Sequence, residues 1–185
     1  MDQSKKRAER ERATIVFADE AGFYLLPSVV RTWARRGQTP QLKTPTKYDH
    51  LSVASAITME GKLVTQVRET SFDGDAIVGF LKHLLSRIAG KVIVIWDGAR
   101  IHHGTAVKGF LASGGAKRLR LIRLPAYAPE LNPDEGVWCW LKRALGNVCC
   151  RDFKELRYEL GLAIAKLRRR PHIIQACFQK AGLQL

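Results

Sequence analysis

Three acidic residues at the ends of apolar segments carry the side chains that metal-dependent chemistry uses. Asp19 and Asp97 end the runs TIVFAD and KVIVIWD, and Glu135 lies in the first turn of a segment with helical periodicity. Reacting groups collect at the carboxyl ends of strands in open α/β sheets, where a buried carboxylate needs a partner. Hard cations such as Mg²⁺ prefer carboxylate oxygens and keep positions open for phosphates. Since two such ions can activate a nucleophile and stabilise a leaving oxygen, the acids indicate a divalent-metal site.

The charge balance of the chain fits a polyanionic partner. The 185 residues contain 31 Lys plus Arg against 17 Asp plus Glu, which gives a net charge of +14. Basic surfaces attract phosphates and release the counterions that nucleic acids hold. A basic protein without such a partner is the alternative, but basic charge combined with a carboxylate cluster favours phosphodiester chemistry on nucleic acid.

The chain has no targeting signal that we recognise. No apolar run approaches the roughly 18 residues that span a bilayer, and the N-terminus is too polar for a signal peptide. The four cysteines show no zinc-binding spacing. We interpret them as reduced thiols. We therefore expect a cytoplasmic protein with no membrane contact.

The apolar patterns predict one α/β domain at residues 13–185, with strands mostly early and helices mostly late, after a basic arm at residues 1–12. Strands are predicted at TIVFADEAGF, which ends on Asp19 and Glu20, and at VVRTWARRGQTP, LSVASAIT, KLVTQVRE, KVIVIWDG and RLRLIRLP. The continuously apolar KVIVIW is typical of a parallel strand buried on both faces. Helices are predicted at residues 73–89, from Thr105 to Gly114, from Asn132, along the stripe Phe153–Leu167 and after Pro171. A turn at Gly61 would join LSVASAIT and KLVTQVRE as a hairpin.

The sequence around Glu135 has a second interpretation that involves no chemistry. Asn132 suits an N-cap, Pro133 the first helical position and Glu135 the third, as in a capping box. Acids in a first turn also complement the helix dipole. The local sequence alone leaves both interpretations open.

Four motifs together resemble a known family. FADEAGF, RTWARRGQTP, VIVIWDGARIHH and LPAYAPELNPDEGVW…LK follow one another in the order and spacing of bacterial insertion-sequence transposases of the Tc/mariner superfamily, the DDE superfamily endonucleases. The resemblance covers about residues 13–145. It implies a ribonuclease H-like fold, with a mixed central sheet flanked by helices, and a metal-dependent DNA transposase.

The resemblance assigns the three acids and also marks two departures. Asp19, Asp97 and Glu135 match the first, second and third catalytic acids, which implies that they bind two Mg²⁺ or Mn²⁺ ions and favours chemistry at Glu135. Gly98 stands where the family usually has Asn after the second acid. Asp134 stands where the family usually has an apolar residue, which leaves two adjacent candidates for the third acid.

The resemblance also implies partners and a location. It implies DNA as transposon ends and target, with a TA dinucleotide as the target, a homodimer in the active complex, and a nucleoid-associated place in a bacterial cytoplasm. Complete members carry helix-turn-helix segments before the first motif, and we expect that module to be missing from this chain. Two alternatives stay open: a ribonuclease H-like nuclease or resolvase that cuts without joining, and an inactive DNA-binding remnant.

Three further residues are candidates for supporting roles at the site. His102 matches a family histidine and would contact the scissile phosphate or a metal-bound water, although a satisfied polar histidine near a helix start is an alternative. Glu20 would point to the opposite face from Asp19 and act behind the metal ligands. Lys142 shares a helix face with Glu135 and would reach a phosphate beside the metal.

Two groups of arginines are candidates for DNA contact. Arg31 and Arg35 alternate with smaller residues and would share one strand face with Trp33, which fits the core equally well. The second group ends a predicted helix, where basic residues are favourable for the dipole in any case. It consists of Arg168, Arg169 and Arg170.

Overall fold

The computed structural model describes residues 10–42, 49–125 and 128–183, and within them five strands form one mixed sheet. The strands are β1 (Ala13–Tyr24), β2 (His50–Thr58), β3 (Leu63–Arg68), β4 (Lys91–Trp96) and β5 (Leu119–Arg123). Their order is β3-β2-β1-β4-β5. β1 pairs antiparallel with β2 and parallel with β4, so β1 joins the hairpin half of the sheet to the parallel half. The predicted arm at residues 1–12 lies outside the described residues except for its last three positions.

Helices cover both faces of this sheet. They are α1 (Gly74–Arg87), α2 (Thr105–Ala112), α3 (Asp134–Ala144), α4 (Phe153–Arg168) and α5 (Pro171–Lys180), with short 3-10 turns at Arg100–His102, Gly115–Lys117 and Pro129–Leu131. α1 begins where predicted, because the Asp73 side chain caps it by accepting the N–H of Ala76 at 2.8 Å. Among the described residues no helix has both the length and the apolarity to cross a bilayer.

The alternation of side chains along β1 divides the core into two clusters. Val16 and Ala18 pack with α1 and α2 on one face. Phe17 and Phe23 pack with α3, α4 and α5 on the other face. Because successive side chains of a strand point to opposite faces, the alternation places Asp19 on the α3 side and Glu20 on the α2 side. The two neighbouring acids therefore lie on opposite faces of the sheet, as the sequence predicts.

The hairpin and the buried parallel strand are also confirmed. β2 and β3 pair antiparallel, and Gly61 has a positive φ of 87° at the turn between them. A side chain there would also collide with Pro171, whose Cβ would lie 2.6 Å from an added Cβ. β4 is buried from Val92 to Trp96 and pairs in parallel with β1 and β5, which explains its unbroken apolar run.

The predicted strand VVRTWARRGQTP is wrong. Residues 29–40 have no strand, Val29 is 80% exposed and Trp33 is 100% exposed. The sheet ends at β3 and β5, and residues 29–40 pair with neither strand; all of them are exposed, so the segment has no buried face. The segment is instead tied to the body of the protein by Asn147, whose side chain bonds the N–H and the C=O of Val30, each at 2.9 Å.

The predicted end of the first strand is also corrected. β1 continues beyond Glu20 to Tyr24, because β2 pairs with it as far as Tyr24 and His50. The parallel pairing with β4, however, stops at Phe17 and Ile95. Asp19 therefore lies just beyond the last β1–β4 pair, beside the residue that follows β4.

Candidate active site

The three acids assigned from the sequence line one open cavity of about 400 Å³. Asp19 comes from β1, Asp97 follows β4, and Glu135 lies in the first turn of α3. Throughout the ranges that the structure describes, no three His, Cys, Asp or Glu side chains are grouped closely enough to form a metal-binding cluster. The acids therefore surround an open space and would have to close around a cation.

The environment of Asp19 favours a bound cation. Trp138 donates its indole N–H to Oδ2 of Asp19 at 2.9 Å, which fixes the carboxylate from the α3 side. Burial raises the pKa of Asp19 to about 6; the Trp138 hydrogen bond opposes this shift, and the charges of Glu20 and Glu135 add to it. A cation in the cavity would relieve the same desolvation and repulsion, so the donor set fits a divalent metal.

Asp97 is held by two neighbours. Its Oδ1 accepts the N–H of Ala99 at 2.9 Å and lies 2.8 Å from Nδ1 of His102. The other ring nitrogen of His102 lies 3.0 Å from Oε2 of Glu20. A chain of contacts thus runs from Glu20 through the imidazole to Asp97.

His102 is placed to orient Asp97. The ring is 3% exposed and stacks on Trp96 with ring centroids 4.0 Å apart. Burial acts to lower the pKa of His102, but the hydrogen bond and charge of Glu20, joined by Asp97, raise it overall. Because both ring nitrogens face carboxylates, the geometry favours a positioning role over contact with the scissile phosphate; His102 is also the satisfied histidine that the sequence leaves open.

The choice between the adjacent acids Asp134 and Glu135 follows from burial. Glu135 is exposed and lines the cavity, whereas Asp134 is fully buried. Ser55 donates to Oδ1 of Asp134 at 2.9 Å, and Oδ2 has no partner among the described residues. Burial raises the pKa of Asp134 well above its usual range, the charge of Asp19 adds to this, and the Ser55 bond opposes it. Asp134 thus lies beneath the cavity and fastens α3 to β2.

The start of α3 only partly follows the capping prediction. Oδ1 of Asn132 accepts the N–H of Asp134 at 3.1 Å, as a cap would. The N–H of Asn132 donates to the carbonyl of Pro129 at 2.9 Å, so Glu135 does not close a capping box. The Glu135 side chain is therefore left to face the cavity.

Lys142 and the candidate DNA-binding arginines lie away from this cavity. Lys142 lines a separate cavity of about 230 Å³ with Phe23, Tyr24 and Leu145. The predicted strand face of Arg31 and Arg35 does not form, because their segment has no strand, although both side chains are exposed.

The arginines at the end of α4 make contacts within the protein. Arg168 bonds the carbonyl of Leu63 and Oγ1 of Thr65, at 3.2 and 2.9 Å, and so fastens α4 to β3. Arg169 bonds the carbonyl of Ala165 at 3.3 Å, and Arg170 precedes the first residue of α5. All three are exposed, so DNA contact by them stays a prediction.

Sequence reasoning missed a charged residue of the cavity, Arg123. It ends β5 beside β4 and lines the cavity together with the three acids and Gly98. Its position at the carboxyl end of a parallel strand, the same placement that identified Asp97, was the available signal.

Comparisons with known proteins agree with this architecture. The structure is similar to the Mos1 mariner paired-end complex with Mn, at a TM-score of 0.63 and 14% identity, over 100% of this chain and 61% of that chain. The corresponding complex with Mg gives a TM-score of 0.66 and 16% identity, over 97% of this chain and 58% of that one. The catalytic domain of Mos1 mariner transposase gives a TM-score of 0.59 and 13% identity, over 100% and 91%.

These similarities show the ribonuclease H-like fold that the sequence predicts. The chain spans about 60% of the Mos1 chain in a paired-end complex with the left transposon end. Comparison with curated proteins gives no match. Residues 14–157 match the model of a family described as DDE superfamily endonuclease. The chain therefore belongs to the DDE superfamily endonucleases.

Proposed function

We propose that this chain is the catalytic domain of a DNA transposase, which hydrolyses a phosphodiester at a transposon end and joins the freed 3′-hydroxyl to target DNA. The observation that carries the proposal is the shared cavity of Asp19, Asp97 and Glu135. Support comes from membership of an endonuclease family. Structures of similar fold include a Mos1 strand transfer complex and Mos1 complexes with Mn and Mg.

In this proposal Asp19, Asp97 and Glu135 hold two Mg²⁺ or Mn²⁺ ions, which supply nucleophile activation and leaving-group stabilisation when bound. The remaining side chains position these acids. Trp138 fixes Asp19 through its indole N–H. His102, held by Glu20, fixes Asp97.

The first turn of α3 carries the third acid and is anchored from below. The Ser55–Asp134 hydrogen bond joins the start of α3 to β2, where Ser55 lies opposite Asp19 in the register. This anchor sets the distance between Asp19 and Glu135. Asp19 and Glu135 would therefore hold a cation from β1 and from α3.

The proposal extends to the partners of the chain. The active complex is a homodimer on DNA, the target is a TA dinucleotide, and a helix-turn-helix module outside these 185 residues recognises the transposon ends. Arg31, Arg35, Arg168, Arg169, Arg170 and Lys142 supply contacts to the DNA backbone. The setting is the nucleoid of a bacterial cytoplasm.

The test uses Mn²⁺ and two DNA substrates, one with an intact transposon end that reports cleavage and one with a pre-cut end that reports joining, with a separate module supplying end recognition. Joined products that require the metal and disappear in Asp97→Asn support a transposase. Cleavage without joining would identify a ribonuclease H-like nuclease or resolvase. DNA binding without any cleavage, in a protein that binds Mn²⁺, would identify an inactive remnant.

A further inference from the structure

We propose that Arg123 binds the phosphate on which the three acids act, and that Gly98 provides the space for its guanidinium. The inference rests on the proposed function, since it names the group that holds the DNA phosphate at that site. It adds a cation to a cavity whose other charged lining residues are the three acids.

The backbone fixes Arg123 beside the second acid. Arg123 is paired with Trp96, the residue before Asp97, in the parallel β4–β5 register. The N–H of Leu124 donates to the carbonyl of Trp96 at 2.7 Å, so the two strand ends are joined where the acid begins. Arg123 therefore cannot move away from Asp97 without breaking the sheet at that point.

The guanidinium lies directly over Gly98. A Cβ atom added at Gly98 would be 2.0 Å from Nε of Arg123, 2.2 Å from Nη2 and 2.3 Å from Cζ. Any side chain at position 98 would push the guanidinium out of its place. The absence of a side chain at Gly98 therefore leaves the space that the guanidinium occupies.

No carboxylate neutralises Arg123 in the part of the chain that the structure covers. None of the ion pairs there involves its guanidinium. The imidazole of His102 and the N–H of Ala99 contact Asp97 from its own side. A guanidinium has five donors and no acceptor, so these donors are available to a ligand that enters the cavity.

A phosphodiester is the ligand that suits these donors. Carboxylates repel a phosphate, and without a cation the three acids would disfavour its approach. The planar guanidinium matches two non-bridging phosphate oxygens in a bidentate contact. Arg123 also lines a second cavity of about 250 Å³, together with Asp97 and His103. It therefore lies between two cavities, which would take the nucleotides on either side of the bound phosphate.

The experiment uses a ligand with one phosphate, thymidylyl-thymidine, so that the position of the contact is not averaged along a duplex. The Nε–H resonance of Arg123 is followed by NMR during titration in EDTA, and is assigned by its loss in Arg123→Lys. We expect it to shift with the dinucleotide and not with the uncharged methylphosphonate analogue. We expect the dissociation constant to rise about tenfold in Arg123→Ala, the scale of a charge-assisted hydrogen-bond pair.

Two further variants sharpen the result. Gly98→Ala keeps Arg123 but displaces the guanidinium, so it should weaken dinucleotide binding to a similar degree. Arg120→Ala removes the same charge from the same strand and should have no effect, because Arg120 is exposed near the other end of β5 and lines a different cavity. Thermal melting of all variants checks that the fold is intact.

The inference fails if the Arg123 resonance does not move, or moves equally with the uncharged analogue. It also fails if Arg123→Ala binds the dinucleotide and joins DNA ends as well as the wild type does. In that case, metal-dependent joining by the wild type leaves the transposase proposal standing. If the wild type neither cuts nor joins but the Arg123 shift is present, the phosphate site stands and the proposed reaction falls.

Discussion

Nε2 of His102 lies 3.0 Å from Oε2 of Glu20, and the two residues are 82 positions apart in the chain. The contact crosses from β1 to the turn after β4 on the side of the sheet that packs against α2. Nδ1 of the same ring lies 2.8 Å from Oδ1 of Asp97. Glu20, on one face of the sheet, therefore orients Asp97, which lines the cavity on the other face.

Replacing Glu20 by Gln should weaken metal binding without removing any of the three acids. The imidazole would lose its charged partner and hold Asp97 less firmly. Substitution of a residue that orients a metal ligand typically lowers metal affinity about tenfold or more. Calorimetric titration with Mn²⁺ measures this. Glu69→Gln is the control, because it removes an exposed acid whose partner is Arg157. Equal affinity in wild type and Glu20→Gln would show that the pair does not act on the metal acids.

The same variant should change the pH dependence of stability in the metal-free protein. The pKa of His102 is raised above 6.5, so the stability from its protonated form is fully present below pH 6.5 and is lost as pH rises through the folded-state pKa. The stability difference between wild type and Glu20→Gln should therefore be largest below pH 6.5 and narrow above it. Urea unfolding in EDTA across this range measures the difference, and Glu69→Gln should show no such trend. A difference that widens with rising pH would contradict the prediction.

The parts of the fold that sequence predicted are those fixed by local pattern. α1 follows from the apolar spacing and from Asp73 at its start, and β4 follows from an apolar run that is typical of a strand buried on both faces. The position of Asp97 follows from the same logic, because Asp97 comes directly after β4. Asp19 lies within β1 and not at its end, just beyond the last pair that β1 forms with β4.

The parts that the sequence did not predict depend on pairing between distant segments. Residues 29–40 alternate like a strand, but a strand forms only where a segment pairs with another strand, and these residues pair with neither edge strand, β3 or β5. The link from Glu20 to His102 and the close approach of Arg123 to Gly98 likewise depend on which strands become neighbours. Lys142 lies on the predicted helix, but two turns beyond Glu135 it lines a different cavity.

Replacing Asp134 by Asn should stabilise the metal-free protein at neutral pH. Asp134 is fully buried, Oδ2 has no partner among the described residues, and its pKa is raised well above 3.8. An acid whose folded-state pKa is raised costs stability as pH rises above the unfolded value, and Asp19, with a pKa of about 6, adds to the cost. Asn keeps an oxygen for Ser55 and removes the charge.

The gain should therefore be present at pH 7 and small at about pH 3, where most of both acids is protonated in either state because the unfolded-state pKa is 3.8. Thermal melting in EDTA at the two pH values measures it. Asp152→Asn is the control, since Asp152 caps α4 by accepting the N–H of Glu155 at 2.8 Å and is not buried with other acids. A lower melting temperature for Asp134→Asn at pH 7 would show that the buried charge is compensated within the protein.

Replacing Asp97 by Asn should abolish cleavage and joining together while leaving the fold intact. Asn keeps the shape of the side chain and an oxygen that can accept the Ala99 N–H, but it loses the charge that holds a divalent ion. Nucleophile activation and leaving-group stabilisation depend on the same ions, so neither step should survive. DNA affinity in EDTA should be unchanged or slightly higher, because one negative charge leaves the cavity.

The measurement is strand transfer with Mn²⁺ and pre-cut ends, alongside thermal melting, with Asp152→Asn as a matched variant far from the metal acids. If Asp97→Asn melts like the wild type and joins ends at a comparable rate, Asp97 is not part of the site and the three-acid mechanism is wrong.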